Sequence, residues 1–464
     1  MDIESLRGHL YGRSALAATA LLAAFTLPAR AQAVTPPAPP AAVLQIDPRP
    51  GYEISPDIYG VNHDWNKVPA DKASAWVSSM SSTAGVRLML YPGGWNPEHY
   101  DWLHNTEAPW RNMLKNGFDP AKDAAGADPK TFLTLAPQAA FVTPCESVIL
   151  DPSTLPQTVA LTRGLVHSYG DQVPRWDIGN EWWIQRGGLK LPAILAEDLS
   201  RYAQLVAAVV PAMKAENPHI SVFVSADWEH PEEYAEIRKL VGPKVWEQVD
   251  GVSIHAYCGV SPTCDSVPAL TDAVRKASGK DRIFDSQWMI RQRGLPDDSG
   301  IKYANRLVLA LSDLAQARIE AAIVWPVTSY IPELNFVSDD YQTAYAAGVL
   351  FGWMSKDYEG KTLATSGDIK AAASRSGSTV HIILPSMKPG LMQVRIPLSG
   401  LDVRKVVSAQ VLYSEDADDP DQGRLASVAQ LPVKVTADHA LLFTLNPGGQ
   451  GRGSGWEIAR ITLQ

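Results

Sequence analysis

Asn180 and Glu181 stand side by side in the stretch Arg175 to Trp183, which reads Arg-Trp-Asp-Ile-Gly-Asn-Glu-Trp-Trp. The run Trp176 to Gly179 is of strand type and mostly apolar, so the two polar residues fall at a strand end, with Trp182 and Trp183 directly behind them. A carboxyl walled by indoles suits a general acid, because apolar surroundings disfavour the ionised form and keep a proton available near neutral pH. The same Asn-Glu pair could merely cap a following helix. A second strand-like run ends Ser253-Ile254-His255-Ala256-Tyr257, where the two-residue period puts His255 and Tyr257 on one side. A third reads Arg282-Ile283-Phe284-Asp285-Ser286-Gln287-Trp288. A paired-carboxylate mechanism needs a second carboxylate roughly 5 Å from the first for retention, or about 6.5–9.5 Å away for inversion. Gln287 holds the terminal inward position and cannot be a carboxylate nucleophile. Asp285 is expected on the same side, about 6–7 Å deeper along the strand. Asp227 and Glu229 follow another strand end and are the other spare carboxylates.

The elements that position these residues follow a repeating order. Strand-like runs are expected at 57–62, 85–91, 131–136, 173–180, 220–226, 249–257, 282–287 and 320–327, with helical periods between and after them, clearest at 194–216, 300–318 and 341–355. Eight such units over roughly 300 residues predict a (β/α)8 barrel, with its site where the strands end. The barrel is expected over residues 55–358. From 359 to 464 the runs become short and alternating, which predicts a smaller antiparallel β-sandwich. Residues 34–54 contain a Pro- and Ala-rich linker and then a strand, Val43 to Asp47, expected to join that sandwich. The acidic stretch Glu415 to Gln422 reads as an exposed loop.

Composition bounds the function. The chain has 464 residues, 45% hydrophobic and 20% charged, enough for one large domain and a smaller one. Arg7 and Arg13, the apolar run Ala15 to Leu27, and Ala31-Gln32-Ala33 have the order of a secretory signal, which predicts cleavage near Ala33 and a secreted or periplasmic protein. Removing residues 1–33 takes away three basic and two acidic groups, moving the formal charge from -9 to -10, which argues against nucleic acid as a partner. No later run is long and apolar enough for a membrane helix, so no membrane insertion of the mature chain is expected. No Cys/His pattern has zinc spacing and no glycine-rich phosphate loop follows a strand, so neither metal nor cofactor is expected. Cys258 and Cys264 are close enough to close a small disulfide loop, leaving Cys145. Among the aromatic residues, Trp95, Trp182, Trp183, Trp288 and Trp325 are candidates for sugar-ring contacts, although core packing is the plainer use of such side chains. Fourteen tryptophans favour a polysaccharide cleft over a small glycoside pocket. Asn62 is a further substrate-binding candidate.

Asn180-Glu181, Ile58-Tyr59-Gly60, Tyr91-Pro92-Gly93-Gly94 and His255-Ala256-Tyr257 together resemble clan A glycoside hydrolases, nearest to their xylosidase, arabinofuranosidase and glucuronidase-like families. That resemblance implies a barrel paired with a β-sandwich built from both chain ends, and hydrolysis of O-glycosidic bonds in a poly- or oligosaccharide by retaining double displacement. It implies Glu181 as acid/base, Asn180 as the residue bonding the sugar 2-hydroxyl beside the nucleophile, and His255 and Tyr257 as supports for the nucleophile. The chain departs from the pattern at Gln287, where those families carry Glu. Three explanations stand: an inactivating Glu-to-Gln change at position 287, a natural carbohydrate-binding pseudoenzyme, or a hydrolase using another base such as Asp285, Asp227 or Glu229. The oligomeric state is not readable from the sequence.

Overall fold

The computed structural model describes residues 40–62, 68, 70–93, 100–101, 106–107, 129–184, 192–258, 266–290, 300–325, 327, 334–419, 421–446 and 455–464. Eight parallel strands close into a barrel: β2 (Gly60–Asn62), β3 (Leu88–Tyr91), β4 (Ala139–Thr143), β5 (Arg175–Ile178), β6 (Ser221–Ser225), β7 (Gly251–Ile254), β8 (Ile283–Trp288) and β9 (Ala321–Val324), with β9 returning to pair with β2. A helix follows each strand, from Ala73–Ser82 after β2 to Ala346–Asp357 after β9. Such βα units hide the sheet on both faces, which is why the strands are short and almost wholly apolar.

The strand alternation sorts the barrel into two cores. Leu88, Leu90, Ala140, Val142, Phe223, Phe284, Ala321 and Ile323 fill its interior. Their outward neighbours, such as Met89, Phe141, Trp176 and Ile283, pack against the helices. One expected strand is corrected: residues 131–136 lie in a helix, Pro129–Leu135, and the strand is Ala139–Thr143. Thr131 to Leu135 alternates like a strand, but Pro129 opens a helix readily because its missing N–H costs nothing there. The two alanines of β4 hid the true strand, since alanine is a poor strand former.

The remaining strands form one ten-stranded, curled sheet around a separate core that includes Leu44, Ile382, Val394, Phe443 and Ile461. Here β1 (Ala42–Glu53), longer than the expected Val43 to Asp47, pairs antiparallel with β10 (Lys361–Gly367) and parallel with the strand Met392–Pro397. Arg460 of this sheet grips Asp357 of the last barrel helix through Nε at 2.6 Å and Nη2 at 2.8 Å. The acidic loop also touches the barrel: Asp418 accepts from Lys302 Nζ at 2.7 Å.

Candidate active site

At the carboxyl end of β5 the chain makes a strained turn. Gly179 has φ 77°, and a Cβ there would lie 2.5 Å from Cys145 Cβ, so only glycine fits. Glu181 itself has φ 48°, a left-handed conformation that costs an L-residue on the order of 1–2 kcal/mol. The surroundings hold this geometry. Tyr202 Oη, from the helix Pro192–Glu216, donates to the Ile178 carbonyl at 2.6 Å. Trp182 stacks on Tyr202 with centroids 5.1 Å apart and donates through Nε1 to the Ser225 carbonyl at 2.9 Å.

Around that turn five of the expected residues meet. Glu181 Oε1 lies 3.0 Å from His255 Nδ1. Tyr257 Oη donates to Gln287 Oε1 at 2.6 Å, and Gln287 Nε2 donates to Asn180 Oδ1 at 2.6 Å. Position 287 is therefore bonded to the residue beside Glu181. Asn180, His255 and Gln287 are at most 4% exposed, whereas the Glu181 side chain keeps 13% of its surface open. The Trp183 ring lies 5.4 Å from the His255 ring.

A bulge brings Gln287 into this group. From Asp285 to Trp288 strand β8 advances three residues while β9 advances two, Ala322 to Val324. Extra residues of this kind leave neighbouring side chains on the same face. Ser286 acts on the interior carboxyl of Asp177 and Gln287 reaches Asn180, so both turn toward the barrel axis. The expectation that Asp285 shares the face of Gln287 is corrected on that account. Phe284 faces the interior and Ile283 the helices, so Asp285 follows Ile283 outward. There its Oδ1 accepts from the Ala256 N–H at 3.2 Å. Burial pushes its carboxyl well up, opposed only by backbone N–H bonds from Ala256 and Gln287. It is a brace between strands, with no cation bonded to it among the described residues.

The other candidates divide. Asn62 is fully buried at the end of β2, and among the described residues neither polar atom of its amide has a hydrogen-bond partner. Trp182 and Trp288 are fully buried, which withdraws both from direct ring contact with a ligand. Trp325 remains half-buried beside β8, its N–H donating to the Trp288 carbonyl at 3.0 Å. Asp227 is nearly buried and caps a turn by accepting from the Glu229 N–H at 3.1 Å, while Glu229 is exposed. Neither bonds to the Glu181 group among the described residues. Trp95 and Cys264 lie outside the described residues; Cys258 is disulfide-bonded, and Cys145 is a buried thiol. Sequence reasoning did not single out Asp177, a buried carboxyl within the otherwise largely apolar β5.

Among the described residues no cluster of His, Cys, Asp or Glu could hold a metal ion, and no helix is long and apolar enough to cross a membrane.

This architecture is shared with solved glycoside hydrolases. A family 51 α-L-arabinofuranosidase from Bifidobacterium longum superposes with a TM-score of 0.61 at 16% identity, covering 92% of this chain and 100% of its own. The family 51 arabinofuranosidase from Xanthomonas axonopodis pv. citri gives 0.64 at 13% identity, covering 91% and 100%. CelM2, a bifunctional glucanase-xylanase from a metagenome library, gives 0.61 at 12%, covering 92% and 99%. No protein-family model and no curated protein sequence matches the chain. At these identities the likeness establishes the fold, a (β/α)8 barrel joined to a β-sandwich-like sheet.

Proposed function

We propose that this chain takes a poly- or oligosaccharide at the barrel mouth as a glycoside hydrolase, with Glu181 as acid/base and position 287 as the place of the nucleophile. The observation that carries the reading is the pair of contacts that bring Glu181 and position 287 together, through His255 on one side and Asn180 and Tyr257 on the other. The solved proteins of the same fold named above, two arabinofuranosidases and a glucanase-xylanase, support a carbohydrate substrate. In the retaining reaction Glu181 would protonate the leaving oxygen and then activate water, while a carboxylate at 287 would form the glycosyl intermediate. Gln287 matches that side chain in shape but lacks the charge that attacks the anomeric carbon. Asn180 would orient the sugar, and Trp183, Trp325 and Asn62 would line the cleft. The signal-like residues 1–33 support a secreted or periplasmic location; amino-terminal sequencing of the exported protein tests it.

A second reading, saccharide binding without turnover, is favoured by the bonding of Gln287 itself. Its oxygen meets a donor and its nitrogen an acceptor, so the site accommodates an amide without leaving either end unmatched. Hydrolysis of aryl glycosides and polysaccharides by the chain, by Gln287→Glu, and by Gln287→Glu with Glu181→Ala separates the readings. Activity gained with Gln287→Glu and lost again with Glu181→Ala supports the hydrolase. Glycan binding with three inert proteins supports the binding protein, and absence of both overturns the saccharide reading.

A further inference from the structure

One layer below the mouth, the barrel interior turns from apolar to polar. Asp177 of β5 is buried, and its Oδ1 accepts from Ser253 Oγ of β7 at 2.5 Å. The Ser286 hydroxyl of β8 also draws on this carboxyl. Yet neither Ser286 Oγ nor Asp177 Oδ2 reaches a hydrogen bond of ordinary geometry, so the Ser253 contact is the firm one. Asp177 and Ser253 come from strands that are not neighbours in the sheet: β6 separates β5 from β7, while β8 pairs with β7. Their side chains meet only because alternate strands of such a barrel fill its interior in layers. Each partner also sits next to a residue of the site. Ser253 is two residues before His255, Ser286 is one before Gln287, and Asp177 is three before Asn180.

We propose that Asp177 is the positioning residue of the site, tying together from below the three strands that carry Glu181, His255 and Gln287. Its burial favours the neutral acid over the carboxylate. Burial raises its carboxyl, outweighing the hydroxyls of Ser253 and Ser286, the charge of His255 and the Ile178 N–H, all of which pull it down. The phenols of Tyr202 and Tyr234 are also within electrostatic reach of it, and each is buried. Either form accepts from Ser253, and the neutral acid does so without placing a second negative charge beneath Glu181. A carboxylate is the costlier form in so buried a place.

The inference rests on the saccharide reading for its purpose, but its test begins without sugar. Asp177→Asn copies the neutral acid, with one acceptor and one donor; Asp177→Ala removes the brace, and Ser253→Ala removes its firm contact while leaving the acid in place. The readout is the imidazole nitrogen NMR signals of His255 across a pH titration. Asp177→Asn is expected to leave those signals and their titration as in the parent, and the two alanine changes to move them. Affinity for xylo-, arabino-, gluco- and galacto-oligosaccharides should follow: about tenfold weaker in the alanine variants and within about threefold in Asp177→Asn. Alanine variants that leave His255 untouched overturn the positioning role, and an Asp177→Asn variant that shifts as far as the alanine variants overturns the neutral form. If Asp177→Ala does not fold, Ser253→Ala carries the same comparison. A parent that binds none of these sugars overturns the saccharide reading alone, because the His255 result stands without them.

Discussion

The two ends of the barrel use charge in opposite ways. At the amino-terminal ends of the strands, Arg175 Nη2 donates to Asp57 at 2.5 Å. Arg282 holds both oxygens of Glu320, at 2.5 and 2.7 Å, and Arg175 Nε reaches Glu320 at 3.4 Å. Burial pushes the Glu320 carboxyl up, but the two guanidiniums outweigh it and hold it below its ordinary range. In the interior and around the mouth the carboxyls of Asp177 and Asp285 bond to no guanidinium among the described residues, and burial raises both. The same strands thus carry paired charges at one end and buried carboxyls biased toward protonation at the other.

Several changes would break or sharpen that contrast. The largest effect is expected from Gln287→Glu: a gain of about 10³ in hydrolytic rate, equivalent to about 4 kcal/mol of barrier, measured on aryl glycosides. Its carboxylate would require the Asn180 amide to turn and present nitrogen in place of oxygen. Next, Glu320→Gln leaves two partly buried guanidiniums short of a counter-charge and should cost about 2–3 kcal/mol in urea unfolding, with oligosaccharide affinity unchanged. A variant that loses affinity as well would show the two ends to be coupled.

The pH dependences should have opposite signs. The stabilisation from Glu320, whose carboxyl is lowered, is present above the unfolded value of about 4.3 and is lost as pH falls through the folded one. Asp285, raised by burial, behaves conversely. Its contribution is intact below the unfolded value of about 3.9 and declines as pH rises, because only the unfolded chain then ionises. Asp285→Asn has no proton to lose, so the variant should gain stability relative to the parent at pH 7 and not at pH 3. Equal stabilities at both values would mean that Asp285 is ionised. The smallest effect is expected for Trp183→Ala: a loss of about 0.5–1 kcal/mol in oligosaccharide affinity with the unfolding midpoint unchanged.

The periodic parts of the molecule were legible from sequence because burial writes them there. The alternation that placed seven of the eight barrel strands also put His255 and Tyr257 on one face. It misled where local preference competed with tertiary context, as in Thr131 to Leu135. It misled again at β8, because one added residue at a bulge inverts every side chain beyond it, and no sequence signal marks the bulge. Tryptophan was a poor guide to the cleft: Trp182 and Trp288 are as buried as any core residue, and the indole type alone does not separate a wall from a platform. Asp177 escaped notice because a single polar residue in an apolar strand gains meaning only from what crosses the barrel to meet it.

The placement of β1 also sets an order of assembly. Its hydrogen-bonding partners, Lys361–Gly367 and Met392–Pro397, are made only after the whole barrel has been synthesised. During translation β1 is an unsatisfied edge waiting across the length of a domain, a long-range closure of the kind that slows folding and exposes strands to wrong partners. The sheet works as a clasp fastened last, so a chain truncated after Asp357 would keep every strand of the barrel and still carry an open edge at its beginning.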